Sequence, residues 1–320
     1  MVRLSICLVL LLFFTSCEQS PEKKGTDHLD EKELSSQSLI VLGIAQDAGY
    51  PQTACKKSCC TDLLKNGKKG ALVSSIGVVD RAEERFYIFD ASPDFPRQLA
   101  SIQDYSGLSF DDLGGLFITH AHIGHYTGLM YLGRESVGAK EVPVFCMPRM
   151  STFLADNGPW SQLVDLNNIS IEPLVADSLY QLGQQLKVEP ILVPHRGEFS
   201  ETVGFKIYGS KKTALFIPDI DKWSVWNRSI VEEVKKTDYV LIDATFYANG
   251  EIPGRDMSEI PHPFVEETVS LLDGLTKAEK SKVHFIHLNH TNPLLRKGDA
   301  YNEVVSKGYN VAYEGLVLDL

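Results

Sequence analysis

The sequence has no excess of positive charge. Its 320 residues include 31 Lys and Arg against 42 Asp and Glu, a formal net charge of -11. Nucleic-acid surfaces need clustered Lys and Arg to neutralise phosphates, so this balance argues against a nucleic-acid partner. The composition is otherwise that of an ordinary globular chain, with 43% hydrophobic and 23% charged residues.

Two short catalytic motifs are also missing. The sequence contains neither a Gly-x-Ser-x-Gly turn, which would expose a nucleophilic serine, nor the glycine-rich lysine motif of a P-loop. Any chemistry must therefore use another activated group. Water or dioxygen activated by a metal ion is the remaining candidate, because a bound metal lowers the pKa of its water to about 7 and polarises the reacting group.

Long hydrophobic runs are absent near the N-terminus. The apolar run over residues 8–14 is too short to span a bilayer and is typical of a signal peptide. Residues 14–17 resemble a bacterial lipobox. They predict a signal peptide over residues 1–16, lipidation of Cys17, a polar flexible tether over 17–37 and a folded domain over 38–320. The expected product is an exported lipoprotein anchored to a membrane, on its periplasmic or outer-membrane face; an ordinary secretory signal is the alternative.

Histidine is scarce, but it is clustered. Three of the nine histidines, His120, His122 and His125, fall within six residues directly after an apolar segment. Imidazole is the commonest side-chain ligand for zinc and related metals at neutral pH. This segment is therefore the predicted primary metal-binding segment.

Four later apolar segments that read as strands also end on histidine or aspartate. The residues at these ends are His195, Asp219, Asp243 and His287. Each one alone has an ordinary explanation as a hydrogen-bonded or capping residue at a strand end. Together with the histidine cluster they provide the right ligand types for two adjacent metal ions, at the strand-to-helix loops where layered α/β folds have their active sites.

Three cysteines, Cys55, Cys59 and Cys60, fall within six residues. In an exported protein a local disulfide is a serious alternative, but a bridge between such close cysteines is strained and leaves one sulfur over. The spacing therefore favours a structural zinc site with a fourth ligand from elsewhere. Cys146, within a strand-like segment, is instead predicted to be a buried free thiol.

The histidine cluster resembles the HxHxDH signature of the metallo-β-lactamase superfamily, and His195, Asp219 and His287 resemble its later ligand motifs in order. Further segments resemble the pyrroloquinoline quinone biosynthesis protein B branch, namely residues 46–60, 193–196, 201–205, 218–223, 254–257 and 287–293. The resemblance covers roughly residues 39–320. It implies a four-layer αβ/βα sandwich of the α/β class, with the metals at one edge of two facing sheets.

The resemblance also implies a ligand set, of one or two zinc or iron ions at the active site. One ion would be held by His120, His122 and His195 and a second by His125 and His287, with Asp219 bridging; His195 and Asp219 are the candidate catalytic residues. Related members hold a structural zinc on N-terminal cysteines. This matches Cys55, Cys59 and Cys60, with His290 as the fourth ligand or, alternatively, as a solvent-facing loop histidine.

The chain departs from the superfamily signature at one position. The aspartate between the second and third histidines is Gly124 here, so the second ion loses a carboxylate unless another residue, such as Asp243, replaces it. The chain also differs from the quinone-biosynthesis branch, in which the first histidine motif is often incomplete, because it keeps both His120 and His122. His262 lies in a segment rich in Gly and Pro and is expected to be an exposed loop histidine.

Three functions follow from these residues. The first is an exported metal-dependent hydrolase acting on an ester, lactone, amide or phosphodiester. The second, implied by the closer resemblance, is an iron-dependent oxygenase-like step on a tyrosine-derived precursor. The third is a metal-stabilised binding lipoprotein without catalysis, suggested by Gly124. The expected substrate is a small or peptide-derived molecule, and the sequence predicts no oligomeric state.

Overall fold

The computed structural model of the protein describes residues 36–320. The predicted signal peptide, Cys17 and nearly all of the predicted tether lie outside the described residues. The strands are β1 (Gln37–Gly43), β2 (Ser75–Asp80), β3 (Arg85–Phe89), β4 (Leu113–Phe117), β5 (Val142–Cys146), β6 (Ile169–Pro173), β7 (Tyr180–Gln181), β8 (Lys187–Leu192), β9 (Val203–Tyr208), β10 (Thr213–Ile217), β11 (Tyr239–Asp243), β12 (Val283–Ile286), β13 (Asn310–Val311) and β14 (Val317–Asp319).

The strands form two mixed seven-stranded sheets. Their strand orders are β14-β1-β2-β3-β4-β5-β6 and β13-β12-β11-β10-β9-β8-β7. In the first sheet β3, β4, β5 and β6 are parallel, and β1 runs in the same direction because it is separated from β3 by the antiparallel β2. In the second sheet β10, β11, β12 and β13 are parallel, and β8 shares their direction because it is separated from β10 by the antiparallel β9.

Helices cover the outer face of each sheet. The α-helices are α1 (Ser58–Lys65), α2 (Phe95–Ser106), α3 (Ile123–Tyr126), α4 (Pro148–Asp156), α5 (Trp160–Asp165), α6 (Ile230–Lys236), α7 (Val265–Leu271), α8 (Lys277–Lys280) and α9 (Asp299–Ser306). Short 3-10 helices lie at Phe110–Asp112, Thr127–Leu132, Trp223–Val225, Met257–Glu259 and Pro293–Leu295. Buried side chains of α2, α4 and α5 pack on the first sheet, and those of α6, α7 and α9 on the second.

Alternation along the strands explains why both faces of each sheet are apolar. In β1, Leu39 and Val41 enter the core between the sheets, whereas Ile40 and Leu42 face the helical layer. In the second sheet, Phe216 of β10 enters the same central core. Successive strand side chains point to opposite faces, so a strand covered on both sides is an unbroken apolar run. The αβ/βα sandwich predicted from the sequence is confirmed.

No helix within residues 36–320 is long and apolar enough to cross a membrane.

Candidate metal centre

The candidate centre lies where the C-terminal ends of co-directional strands from both sheets meet. Its residues follow β1, β3, β4, β8, β10, β11 and β12. The segment after β1 joins the two sheets there: the Gln46 N–H donates to the Leu288 carbonyl (2.9 Å), and the Leu288 N–H donates to the Ile44 carbonyl (2.7 Å). Residues far apart in the sequence are thereby brought to one edge of the sandwich.

A first group of ligand atoms comes from His120, His122, His195 and Asp219, all within 4.8 Å of one another. The Asp219 Oδ2 atom lies 3.3 Å from His120 Nε2, 3.3 Å from His195 Nε2 and 3.9 Å from His122 Nδ1. Three imidazoles and one carboxylate oxygen make up a tetrahedral donor set of the kind that zinc prefers. The structure thus brings together every residue predicted for the first ion.

A second group adjoins the first and shares Asp219. Its members are His125, His287, Asp219 and Asp47. The Asp47 Oδ1 atom lies 3.2 Å from His125 Nε2 and 3.4 Å from His287 Nε2. Asp219 Oδ2 is 3.8 Å from the first of these nitrogens and 4.0 Å from the second. Asp219 therefore stands between the two groups, where a bridging ligand is expected.

Four of the five inward-facing imidazoles are held by a hydrogen-bonding contact at their other nitrogen. The contacts at Nδ1 join His120 to Thr119 Oγ1 (2.9 Å), His125 to Asp90 (2.7 Å), His195 to Asp221 (3.0 Å) and His287 to Thr245 Oγ1 (2.9 Å). His122 is turned the other way, with Nδ1 inward and Nε2 3.6 Å from the Glu198 carboxylate. Such partners fix the tautomer and orientation of metal-binding histidines.

Two residues of the centre adopt the left-handed backbone region that non-glycine residues rarely enter. The φ angle is 66° at Asp90 and 64° at His287. Backbone strain of this kind, which costs on the order of 1–3 kcal/mol per residue, concentrates at functional sites. Here one strained residue, His287, belongs to the second group. The other, Asp90, contacts Nδ1 of His125, the second histidine of that group.

The buried histidines and Asp219 shift one another's pKa values. Burial, together with the charge of His125, holds the pKa of His120 well below its usual value, which leaves its imidazole neutral. Burial opposes protonation of His195 as well, but the Asp219 carboxylate raises the pKa of His195 to about 9. Although burial opposes ionisation of Asp219, the charges of His195 and His262 hold the pKa of this carboxyl well below its usual range.

Metal ions fit these residues. Four buried side-chain atoms of the centre have no hydrogen-bond partner among residues 36–320, namely Asp47 Oδ1, His125 Nε2, His287 Nε2 and Asp219 Oδ1. Buried polar atoms without partners are uncommon, because each costs about 1–3 kcal/mol. The atoms of Asp47, His125 and His287 face one another, and a cation between them would satisfy all three.

Comparison with known proteins identifies the family. A family model described as a beta-lactamase superfamily domain matches residues 85–286. The chain belongs to this superfamily.

The relatives within the superfamily point to one branch. Coenzyme PQQ synthesis protein B (PqqB) of Ruegeria pomeroyi is 26% identical over 311 residues, which cover 88% of this chain and 99% of that protein. The same-named protein of Gluconobacter oxydans is also 26% identical and is covered to 98%. The chain is thus a PqqB-like member of the metallo-β-lactamase superfamily.

Solved structures share the fold. Zinc-bound PqqB from Methylobacterium extorquens superposes with a TM-score of 0.74 at 20% identity, over 88% of this chain and 100% of that one. A diphosphatase of the PhnP family superposes with a TM-score of 0.60, also at 20% identity, over 88% and 96% of the two chains. At these identities the likeness concerns the fold alone.

The superfamily signature has an aspartate at the position of Gly124, and Asp243 does not take its place in the second group. Asp243 accepts hydrogen bonds from Thr245 and from the Ile220 N–H, and its Oδ2 atom lies 2.8 Å from His262 Nδ1. It therefore supports the centre from outside the two ligand groups.

The prediction that His262 is an exposed loop histidine was wrong, because only 8% of this residue is exposed. Its Nδ1 atom lies 3.1 Å from Asp219 Oδ1, whereas the five histidines of the two ligand groups face the other oxygen of this carboxylate, Oδ2. Asp219, Asp243 and His262 form a third cluster of ligand types within 4.8 Å. Its internal ion pairs make it a support that holds Asp219 in place.

The cysteines form a separate cluster beside the second group. The sulfurs of Cys55, Cys59 and Cys60 and one His290 nitrogen all lie within 4.8 Å of one another. All three cysteines are free thiols, as is the buried Cys146. Burial raises the pKa of the Cys60 thiol to about 12. The structure thus brings together the predicted zinc ligands, Cys₃His, in place of the alternative disulfide.

Asp47 is the residue of the centre that the sequence did not reveal. It lies in the loop after β1, four residues beyond the end of the strand, and no histidine is near it in the sequence. The HxHxDH signature directs attention to residues near Gly124, 77 positions later in the sequence. The only available signal was that an aspartate follows a buried strand, as at Asp219 and Asp243.

Proposed function

We propose that this chain is a metal-dependent enzyme of the PqqB-like branch that acts oxidatively on a small, tyrosine-derived precursor. The observation that carries the proposal is the similarity to coenzyme PQQ synthesis protein B along 98–99% of the length of those relatives. The donor groups support a two-ion centre whichever reaction takes place there. His120, His122 and His195 would hold one ion, and His125 and His287 the other, with Asp219 between them.

The bound ions supply Lewis acidity, and iron in addition supplies redox chemistry. The residues of the chain do the positioning. Asp219 presents one oxygen to the histidines while His262 lies against the other. Glu198 is half-exposed, with its carboxylate 3.6 Å from His122 Nε2, and is available there as a proton acceptor.

A cleft of about 570 Å³ adjoins the second group, because Asp47 is part of its lining. Tyr50, Pro93, Arg97 and Ile123 line it as well. This volume is within the range of about 300–1,000 Å³ that small-molecule sites occupy. The mixed apolar and charged lining is consistent with a small aromatic substrate that also carries polar groups.

A second candidate is hydrolysis of an ester, lactone, amide or phosphodiester by metal-activated water. The observation that favours it is the complete first group, because His120, His122, His195 and Asp219 are all present and converge. A predicted export through residues 1–17 would also favour hydrolysis, since a peptide-derived cofactor is built in the cytoplasm. That export stays a prediction.

The test compares the two reactions on the full chain. The protein is loaded with Fe²⁺ or with Zn²⁺, and metal content is measured by elemental analysis. Oxygen consumption is then followed with tyrosine-containing dipeptides and simple phenols, and hydrolysis with a panel of esters, lactones and phosphodiesters. We expect oxygen consumption by the iron form that falls by at least about 100-fold in His122→Ala, which lacks one ligand of the first ion.

The control is His284→Gln, which alters a histidine on β12 outside the ligand groups. It is expected to keep its metal and its activity. Hydrolysis by the zinc form, with no oxygen consumption by the iron form, would replace the first function by the second. Fully loaded protein that is inactive in both assays would contradict both and leave a metal-stabilised binding protein.

A further inference from the structure

Gly124 has no room for a side chain. A Cβ atom built on it would lie 2.4 Å from Asp47 Oδ1 and 2.7 Å from Asp47 Cα. Both distances are far below van der Waals contact, and the second involves backbone, which cannot swing away as a flexible side chain does. As long as Asp47 holds its place, residue 124 must be glycine.

Asp47 is held in this place by the strand extension that joins the sheets. Ala45 pairs with Leu288 as an isolated parallel bridge. His287, a member of the second group, directly precedes Leu288, so the two residues enter the centre from paired strands. A turn closed by the Gly49 N–H on the Gln46 carbonyl (2.8 Å) then directs the chain away.

We propose that Asp47 supplies the second ion with the carboxylate that the superfamily signature places at residue 124, and that Gly124 is the space that admits it. The superfamily signature has this carboxylate in the histidine segment, which follows β4, whereas here it lies in the loop after β1. In both positions it would bind the second ion. Asp47 Oδ1 lies within 3.4 Å of both histidine nitrogens of the second group and has no hydrogen-bond partner within residues 36–320. The inference rests on the proposed two-ion centre but not on either reaction.

Charge supports this assignment over a purely structural role. Two divalent ions between five histidines would have only Asp219 to balance them inside the ligand shell, and hard or borderline cations favour carboxylate oxygens. Asp47 adds a second negative charge, next to His125 and His287. It is the one carboxylate besides Asp219 that belongs to the second group.

The experiment counts ions and measures their affinity. The full chain is titrated with Zn²⁺ against a chromophoric chelator, and elemental analysis counts the ions retained. The wild type is expected to hold three, one at the cysteines and two at the centre. In Asp47→Ala and Asp47→Asn one of the two ions of the centre should bind at least about 100-fold less tightly, with the other centre ion and the cysteine-bound ion retained.

Gly124→Ala removes no donor, yet it should produce the same loss, because the added methyl displaces Asp47. The double variant Asp47→Ala/Gly124→Ala should be no weaker than either single variant, since both act through one carboxylate. Asp104→Asn, which alters an exposed aspartate on α2, is the control and should match the wild type. Circular dichroism and retention of the cysteine-bound ion verify folding.

Three ions bound with unchanged affinity in both Asp47 variants would overturn the proposal. Additive losses in the double variant would overturn the role given to Gly124. A wild type that holds only one ion at the centre would contradict the two-ion centre itself, and this result appears before any variant is made. The protein could also bind metal in a way that depends on Asp47 and yet be inactive in both assays. This result would support the inference and contradict only the proposed function.

Discussion

At the scale of single residues, the centre depends on which nitrogen each imidazole presents. Four histidines have Nδ1 in contact with an oxygen of the protein, and this leaves Nε2 directed inward. His287 is a clear case. Thr245 donates its hydroxyl hydrogen to Asp243 Oδ1 (2.7 Å), so its oxygen is left to accept from His287 Nδ1 (2.9 Å). The His287 tautomer with a free Nε2 lone pair is therefore specified by the chain itself.

Removing this hydroxyl should loosen the second ion without deleting a ligand. Thr245→Val keeps the shape of the fully buried side chain but leaves His287 Nδ1 and Asp243 Oδ1 without their shared partner. We expect the second zinc to bind about 10- to 100-fold more weakly and the free energy of unfolding to fall by about 1–3 kcal/mol. Chelator competition and thermal denaturation measure the two effects.

Thr245→Ser is the matched control, because it restores the hydroxyl and should recover most of the affinity. If Thr245→Val lowered stability while metal affinity stayed at the wild-type value, the hydroxyl would have only a structural role.

At the scale of elements, two loops carry residues of both the second group and the cysteine cluster. The loop after β1 contains Asp47 and leads to Cys55, and the loop after β12 contains His287 and His290. The backbone hydrogen bonds at Leu288 tie these loops together at their bases. An ion at the cysteines would tie them a second time at their far ends, and this would restrict the motion of Asp47 and His287 relative to each other.

Breaking the cysteine cluster should therefore weaken the second ion from a distance. Cys59→Ser is expected to lose one zinc per chain and to raise the dissociation constant of the second ion by about 5- to 30-fold, the range of a coupling free energy of roughly 1–2 kcal/mol. The first ion should change less, because His120, His122 and His195 lie on other loops. Stepwise chelator titration followed by elemental analysis resolves the three ions.

Cys146→Ala is the matched control. Its thiol is buried and free on β5, outside the cluster, so it should keep three zincs. Equal weakening of the first and second ions in Cys59→Ser would indicate general destabilisation and contradict a specific link through the two loops.

The same loops mark the limit of what the sequence could predict. Strand ends were identifiable because an apolar run stops at a polar residue, and this located His120, His195, Asp219 and His287. Asp47 was not identifiable, because its importance depends on a pairing between Ala45 and Leu288 across 243 positions of sequence. His262 was misjudged for a related reason. Its Gly- and Pro-rich surroundings do indicate a loop, but two buried carboxylates, Asp219 and Asp243, draw the loop inward.

At the scale of the whole molecule, the centre holds the two sheets together at one edge while an aromatic core holds them together in the interior. Phe117 stacks on Phe89 and Phe145, with ring centroids 4.7 and 4.4 Å apart, and meets Phe205 of the opposite sheet edge-on at 5.5 Å. The sequence predicts that these rings are buried in a core, since every one of them falls in an apolar strand. The identity of the partners across the sheets could not, because alternation gives the face of a side chain but not its contacts.

The arrangement predicts that metal binding and global stability are linked. His120, His122 and His125 follow a strand of the first sheet, whereas His195, Asp219 and His287 follow strands of the second. An ion that binds these groups binds only the assembled sandwich, so it stabilises the folded state by about 2.7 kcal/mol at a free concentration of 100 times its dissociation constant. For a domain of this size that corresponds to a rise in Tm of roughly 5–10 °C per ion.

Calorimetry of the Cys59→Ser chain, with and without zinc, tests this linkage at the centre alone, because the cysteine cluster is already disabled. Phe117→Ala in the same background provides the comparison: loss of its ring should cost about 3–5 kcal/mol but leave the zinc-induced rise in Tm intact, since this ring packs on the aromatic rings of the central core. Removal of the ions without any change in Tm would mean that the centre is assembled equally well in their absence. The facing atoms of Asp47, His125 and His287, which are buried without hydrogen-bond partners within residues 36–320, argue against that outcome, because removing the cation between them would leave their burial uncompensated.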